Sequence, residues 1–123
     1  MKFNQSLRNQ IGKYQDYVII VEGNKDVNAL KALGFQNVHA IHSTGVSLKE
    51  RAEQIASQLT KKDKVCILTD LDKRGRQLYH LLKTIFQELG ARLDSTFRGI
   101  LIKSKVSHIE GLDKFIDKIE AIE

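Results

Sequence analysis

The chain has 123 residues, 41% apolar and 28% charged, which is enough to bury a hydrophobic core without disulfides. Its single cysteine, Cys66, excludes an internal disulfide, and its longest apolar stretch, Tyr17 to Val21, is far too short to span a membrane. Lys plus Arg number 20 against 15 Asp plus Glu, a net charge of +5 that suits a polyanionic partner, while few aromatics argue against recognition by stacked bases.

Met1-Lys2-Phe3-Asn4-Gln5 is polar and leads into no apolar core of a secretory signal, so a cytoplasmic protein is expected. Phe3, Leu7, Ile11 and Tyr14 recur at helical spacing and predict an amphipathic lead-in helix over residues 1–14. Tyr17 to Val21 is continuously apolar and rich in β-branched residues, as in a strand buried on both faces. Glu22-Gly23 ends it, and Lys25 to Leu33 predicts a helix stopped by Gly34. Val38 to Ile41 is a second strand. The helix after it carries Leu48, Ala52, Ile55, Ala56 and Leu59 on one face, with Ser47 and Glu50 at capping-box spacing. Lys64 to Thr69 is a third strand, in which Cys66 reads as a small buried hydrophobe rather than a reactive thiol. Asp70 to Gly75 turns into the clearest helix, marked by Leu78, Leu81, Leu82, Ile85, Phe86 and Leu89. Tyr79 falls inside that helix and reads as a packing residue. Ala91 to Phe97 alternates and predicts a fourth strand. Ser107 and Glu110 have capping-box spacing before a last helix with Leu112, Phe115, Ile116 and Ile119 on one face.

Regular alternation of strand and helix implies an α/β fold with a four-stranded parallel sheet and helices on both faces. Ligands of such sheets bind beyond the C-terminal ends of the strands. There the sequence places Glu22, then His42-Ser43-Thr44-Gly45, then Asp70-Leu71-Asp72. If the first and third strands are neighbours, three carboxylates converge, and their repulsion calls for a cation. Oxygen-only ligation by Glu22, Asp70 and Asp72 suits Mg²⁺, with Mn²⁺ as substitute. Asp72 would equally serve as a helix N-cap. His39, His42, His80 and His108 are scattered and have no zinc spacing.

Val21-Glu22-Gly23-Asn24-Lys25-Asp26, followed by Thr69-Asp70-Leu71-Asp72-Lys73-Arg74-Gly75, resembles the Toprim domain of topoisomerases, bacterial-type primases and ribonuclease M5. The resemblance implies one Toprim, Rossmann-like domain over 1–123, with its core at 15–123. It implies that Glu22 is the general acid or base, that Asp70 and Asp72 carry Mg²⁺, and that Gly23, Asp26 and Gly75 support the site. Type IA topoisomerases have a third acid where this chain has Arg74.

Lys73, Arg74 and Arg76 open a helix, whose N-terminus already favours phosphate, and are read as phosphate contacts beside the plainer reading of a solvated basic turn. Arg92, Arg98, Lys103 and Lys105 suggest a second basic stretch, and His42, Ser43 and Thr44 line the same edge. The sequence thus predicts a metal-dependent phosphodiesterase or nuclease acting on RNA or DNA. The alternative is a non-catalytic nucleic-acid-binding module in a larger assembly. A haloacid-dehalogenase phosphatase fits poorly, because its Asp-x-Asp follows the first strand and not the third. A homodimer through the lead-in helix is left open.

Overall fold

The computed structural model describes residues 3–116. Four strands, β1 (Val18–Val21), β2 (Val38–Ala40), β3 (Lys64–Ile67) and β4 (Arg92–Leu93), form one parallel sheet in the order β2-β1-β3-β4. Around it lie α1 (Phe3–Gly12), α2 (Asn24–Ala32), α3 (Leu48–Ala56), α4 (Lys73–Glu88) and α5 (Thr96–Lys103). A 3-10 turn follows at Ile109–Gly111 and leads into helical residues 112–116. Ile119 of the expected last helix lies outside the described residues.

Two central strands feed two cores. Val18 and Ile20 of β1, with Val65 and Ile67 of β3, pack against Ala52 and Ile55 of α3 and Leu82 and Phe86 of α4. Ile19, Val21, Cys66 and Leu68 point the opposite way, onto Leu7 and Ile11 of α1, Leu30 of α2, and Phe97 and Leu101 of α5. Successive strand residues face opposite sides, so a strand covered on both faces must be apolar throughout. Each such side chain, once buried, contributes about 1.5–3 kcal/mol. Cys66 is fully buried, and burial pushes its thiol up to about 12, which leaves it a hydrophobe. No helix among the described residues is long and apolar enough to cross a membrane.

Local signals in the first half hold. The Ser47 hydroxyl accepts the Glu50 N–H at 3.1 Å and caps α3. Gly34 takes φ +96° after α2, a left-handed value that other residues rarely adopt.

Two expectations beyond α4 are corrected. The strand expected over Ala91 to Phe97 is only Arg92–Leu93, and α5 begins at Thr96. The Asp94 carboxylate accepts the Thr96 N–H at 2.8 Å, turns the chain and starts the helix. Phe97 and Leu101 are then buried at helical spacing, whereas the Leu93–Phe97 alternation had suggested a strand. The capping box at Ser107 and Glu110 does not form: Ser107 Oγ lies 2.9 Å from His108 Nδ1, and His108 precedes the 3-10 turn with no side-chain cap.

Candidate metal centre

β1 and β3 are neighbours in register, with Ile20 opposite Ile67, so the residues that follow them emerge side by side. Glu22 and Asp70 meet directly: the Asp70 N–H donates to Glu22 Oε2 at 2.8 Å. The same arrangement recurs at each acid. Asp70 Oδ1 accepts the Ile109 N–H at 2.9 Å, Asp72 Oδ1 accepts the Gly75 N–H at 2.7 Å, and Asp26 Oδ2 accepts the Gly23 N–H at 3.0 Å. Backbone amides thus fix one oxygen of each carboxylate. Glu22, Asp70 and Asp72 each keep a second oxygen that accepts no hydrogen bond among the described residues. Asp72 is therefore the N-cap of α4 and a metal-ligand candidate at once, one role per oxygen.

A second layer of contacts shapes the loop. Thr69 is fully buried and its hydroxyl donates to the Gly75 carbonyl at 2.6 Å. A Cβ built on Gly75 would stand 1.9 Å from the Asp70 carbonyl oxygen, so no side chain fits there. Arg98 comes in from α5, only 4% exposed. Its Nη1 donates to the Thr69 carbonyl at 2.6 Å and to the Thr69 hydroxyl at 3.1 Å, and its Nη2 donates to the Asp70 carbonyl at 3.2 Å. The Tyr79 ring lies under the guanidinium, 4.4 Å from centroid to carbon. Arg98 is thereby buried in the support of the loop and does not join the second basic stretch expected with Arg92, Lys103 and Lys105, and Tyr79 packs as expected.

The segment after α5 completes the site. The Leu71 N–H donates to the Ser107 carbonyl at 2.8 Å. Together with the Ile109 amide on Asp70, this pins residues 107–109 against the acidic loop. His108 Nε2 then lies 3.5 Å from Asp72 Oδ2, both side chains about half exposed. One ligand atom each from Asp70, Asp72 and His108 fall within 4.8 Å of one another. Glu22 is not among those three atoms; it stands beside them through the Asp70 amide. His108 is the residue that sequence reasoning passed over. Its only signal was a histidine next to a candidate cap, with nothing to say that the chain returns there.

The remaining predicted residues are distributed as follows. Gly23 precedes α2 and presents its amide to Asp26. Asp26 is buried, and burial first, then Asp70, Glu22 and Glu110, push its carboxyl above the usual carboxylate range, against the Gly23 hydrogen bond. Lys73, Arg74 and Arg76 are exposed in the first turn of α4, directly after Asp72. Arg76 Nη1 donates to the Leu71 carbonyl at 3.3 Å. The His42 N–H donates to the Glu22 carbonyl at 3.1 Å, which puts the exposed loop of His42, Ser43 and Thr44 on the same edge.

The family model of the Toprim domain matches residues 17–104. The chain belongs to the Toprim family. Two UPF0292 proteins resemble most of it. A UPF0292 protein of Methanocaldococcus jannaschii is 32% identical over 81% of this chain and 78% of its own length. Another from Pyrococcus horikoshii is 35% identical over 77% of this chain and 68% of its own length. Ribonuclease M5 of Mesoplasma florum is 31% identical over 50% of this chain and 35% of its own length. A solved structure of a protein from Aquifex aeolicus superposes with a TM-score of 0.70 at 30% identity, over 86% of this chain and 94% of that one.

The donor set fits the divalent cation that a Toprim site implies. Its acids are orientated by backbone amides, and His108 Nε2 stands 3.5 Å from Asp72 Oδ2. Hard carboxylate oxygens with room for water are what Mg²⁺ or Mn²⁺ requires.

Proposed function

We propose that this protein is a metal-dependent phosphodiesterase that acts on nucleic acid in the cytoplasm. The observation that carries the reading is the meeting of Glu22 with the Asp70–Asp72 loop at the C-terminal edge of β1 and β3. Asp70 and Asp72 would hold Mg²⁺, or Mn²⁺ in its place, with Glu22 adjoining. The chemistry the ion supplies when bound is Lewis-acid polarisation of a phosphoryl oxygen.

The chain's own residues do the rest. Glu22 Oε1, the oxygen not engaged by Asp70, is the atom that takes a proton from an attacking water or returns one to the leaving oxygen. The Asp70 amide holds the other oxygen and so fixes the direction in which Glu22 points. Lys73, Arg74 and Arg76 lie at the N-terminus of α4, where cationic side chains and helix amides both attract the phosphate backbone. Such contacts carry no sequence preference, and binding should weaken steeply with added salt. The partial match to ribonuclease M5 supports RNA as one substrate to test.

A second reading has its own support. Glu22 already has a structural task, bracing the loop through Asp70, which a non-catalytic nucleic-acid-binding module would equally need. Glu22→Gln separates the two, because glutamine keeps an oxygen for the Asp70 amide and loses only the ionisable group. The test is cleavage of structured RNA, single-stranded RNA, and single- and double-stranded DNA, with Mg²⁺, with Mn²⁺ and with chelator. Metal-dependent cleavage that falls at least about 100-fold in Glu22→Gln supports the enzyme. Absent cleavage, or equal cleavage by both proteins, overturns it and leaves the binding module.

A further inference from the structure

We infer that His108 is itself a metal ligand, so that the site is a mixed nitrogen and oxygen centre that favours Mn²⁺ over Mg²⁺. The inference rests on the reading of Asp70 and Asp72 as metal carriers and deepens it.

Geometry comes first. A six-coordinate ion with bonds of about 2.1 Å sets neighbouring ligand atoms about 3 Å apart and opposite ones about 4.2 Å apart. His108 Nε2 and Asp72 Oδ2 are 3.5 Å apart, and the group of three spans no more than 4.8 Å. Shifts of roughly half an ångström, within the range of side-chain rotation, would bring all three onto one ion.

The position of His108 is also built, not incidental. Its neighbours on both sides are tied to the acidic loop, Ser107 through its carbonyl to the Leu71 amide and Ile109 through its amide to Asp70 Oδ1. The backbone therefore cannot carry the imidazole away from Asp72 without breaking two hydrogen bonds. Ser107 Oγ occupies Nδ1 at 2.9 Å and leaves Nε2 as the ring atom that faces the carboxylates. A hydrogen bond to the far nitrogen is how ligating histidines are usually held in orientation.

Chemistry then selects the ion. Mg²⁺ takes oxygen ligands and retains its waters, whereas imidazole suits first-row transition ions. One histidine added to two aspartates should shift preference toward Mn²⁺ without excluding Mg²⁺.

The test is Mn²⁺ binding to the whole chain, followed by electron paramagnetic resonance, with pulsed detection of nitrogen coupled to the bound ion. The wild type should show the ¹⁴N coupling, His108→Ala should lose it, and His42→Ala, which removes the other histidine of this edge, should keep it. Mn²⁺ affinity should fall about 10-fold in His108→Ala and Mg²⁺ affinity about 2-fold or less. His108→Asn, which keeps a polar side chain against Asp72, should behave like the alanine variant. Bound Mn²⁺ without ¹⁴N coupling, or coupling that survives in His108→Ala, overturns the assignment of His108 alone. Mn²⁺ affinity unchanged in Asp72→Asn, or no Mn²⁺ binding by the wild type, overturns the aspartate reading and this inference with it.

Discussion

Glu22, Asp70 and Asp72 leave the ends of two adjacent buried strands, whereas Arg98, His108 and the Ile109 amide reach the same place from the chain beyond β4. The first group owes its position to the sheet. Strands packed on both faces have no freedom to slide, since a one-residue slip would turn each side chain to the wrong core. The second group is carried there by Phe97, Leu101 and Ile109 packing into one core, and is tied there by the hydrogen bonds of Arg98 and the Ile109 amide to the loop. The sheet delivers the acids, while the later segment decides how each of them is aimed and what stands next to it.

The largest expected effect lies where the two groups share a wall. Gly75→Ala would drive a Cβ into the backbone carbonyl of Asp70, with no flexible side chain to give way. It should cost about 3 kcal/mol or more in urea denaturation and weaken metal binding with it. A variant of wild-type stability would mean that the loop is looser than described.

Arg98→Ala tests the second group directly. It strips donors from the carbonyls of Thr69 and Asp70 and from the Thr69 hydroxyl, in a buried setting, and should destabilise by about 3 kcal/mol. Arg98→Lys keeps the charge but not the fork, so it should recover only part of the stability and part of the metal affinity. Equal recovery by lysine would show that charge, not the paired hydrogen bonds, matters at this position.

Glu22→Gln should change stability by less than about 1 kcal/mol, since the Asp70 amide keeps an acceptor. A large loss of stability would merge the two groups into one structural unit and remove the case for a separate role of the Glu22 charge.

The smallest effect is expected at Asp26, and it depends on pH. Burial raises its carboxyl above the ordinary range in the folded chain, so the folded state holds its proton more tightly than the unfolded state does. The contribution of Asp26 to stability is then fully present below its unfolded value and is lost as pH rises through the raised folded value. Asp26→Asn keeps the acceptor for the Gly23 amide and cannot ionise. It should match the wild type in acid and gain on it toward neutral pH, read as the denaturation midpoint in parallel buffers. A difference that is flat with pH would refute the buried ionisation.

Much of this architecture was legible from particular residues. Val18 to Val21 and Val65 to Leu68 are apolar without interruption, which only a strand covered twice requires. Ser47 announced α3 by its own side chain. Asp72 was read both as a cap and as a metal ligand, and its two oxygens accommodate both readings. Legibility weakened after α4, although residues 112–116 are helical as Leu112, Phe115 and Ile116 suggested. Asp94 and Thr96 set a turn that the alternation of Leu93 and Phe97 concealed, and Arg98 looked like any other surface cation.

Hydrophobic period and local caps act within a few residues, so the chain's own pattern set the first three strands, the helices that alternate with them, and the edge on which Glu22, Asp70 and Asp72 gather. Only the tertiary structure decided which polar groups meet there. The Asp70 amide finds Glu22 across 48 residues, Ile109 finds Asp70 across 39, and Arg98 finds Thr69 across 29. A hydrogen bond between residues so far apart in sequence leaves no trace in the spacing of either partner. It appears only once the two cores have packed and the chain has nowhere else to satisfy its buried donors and acceptors.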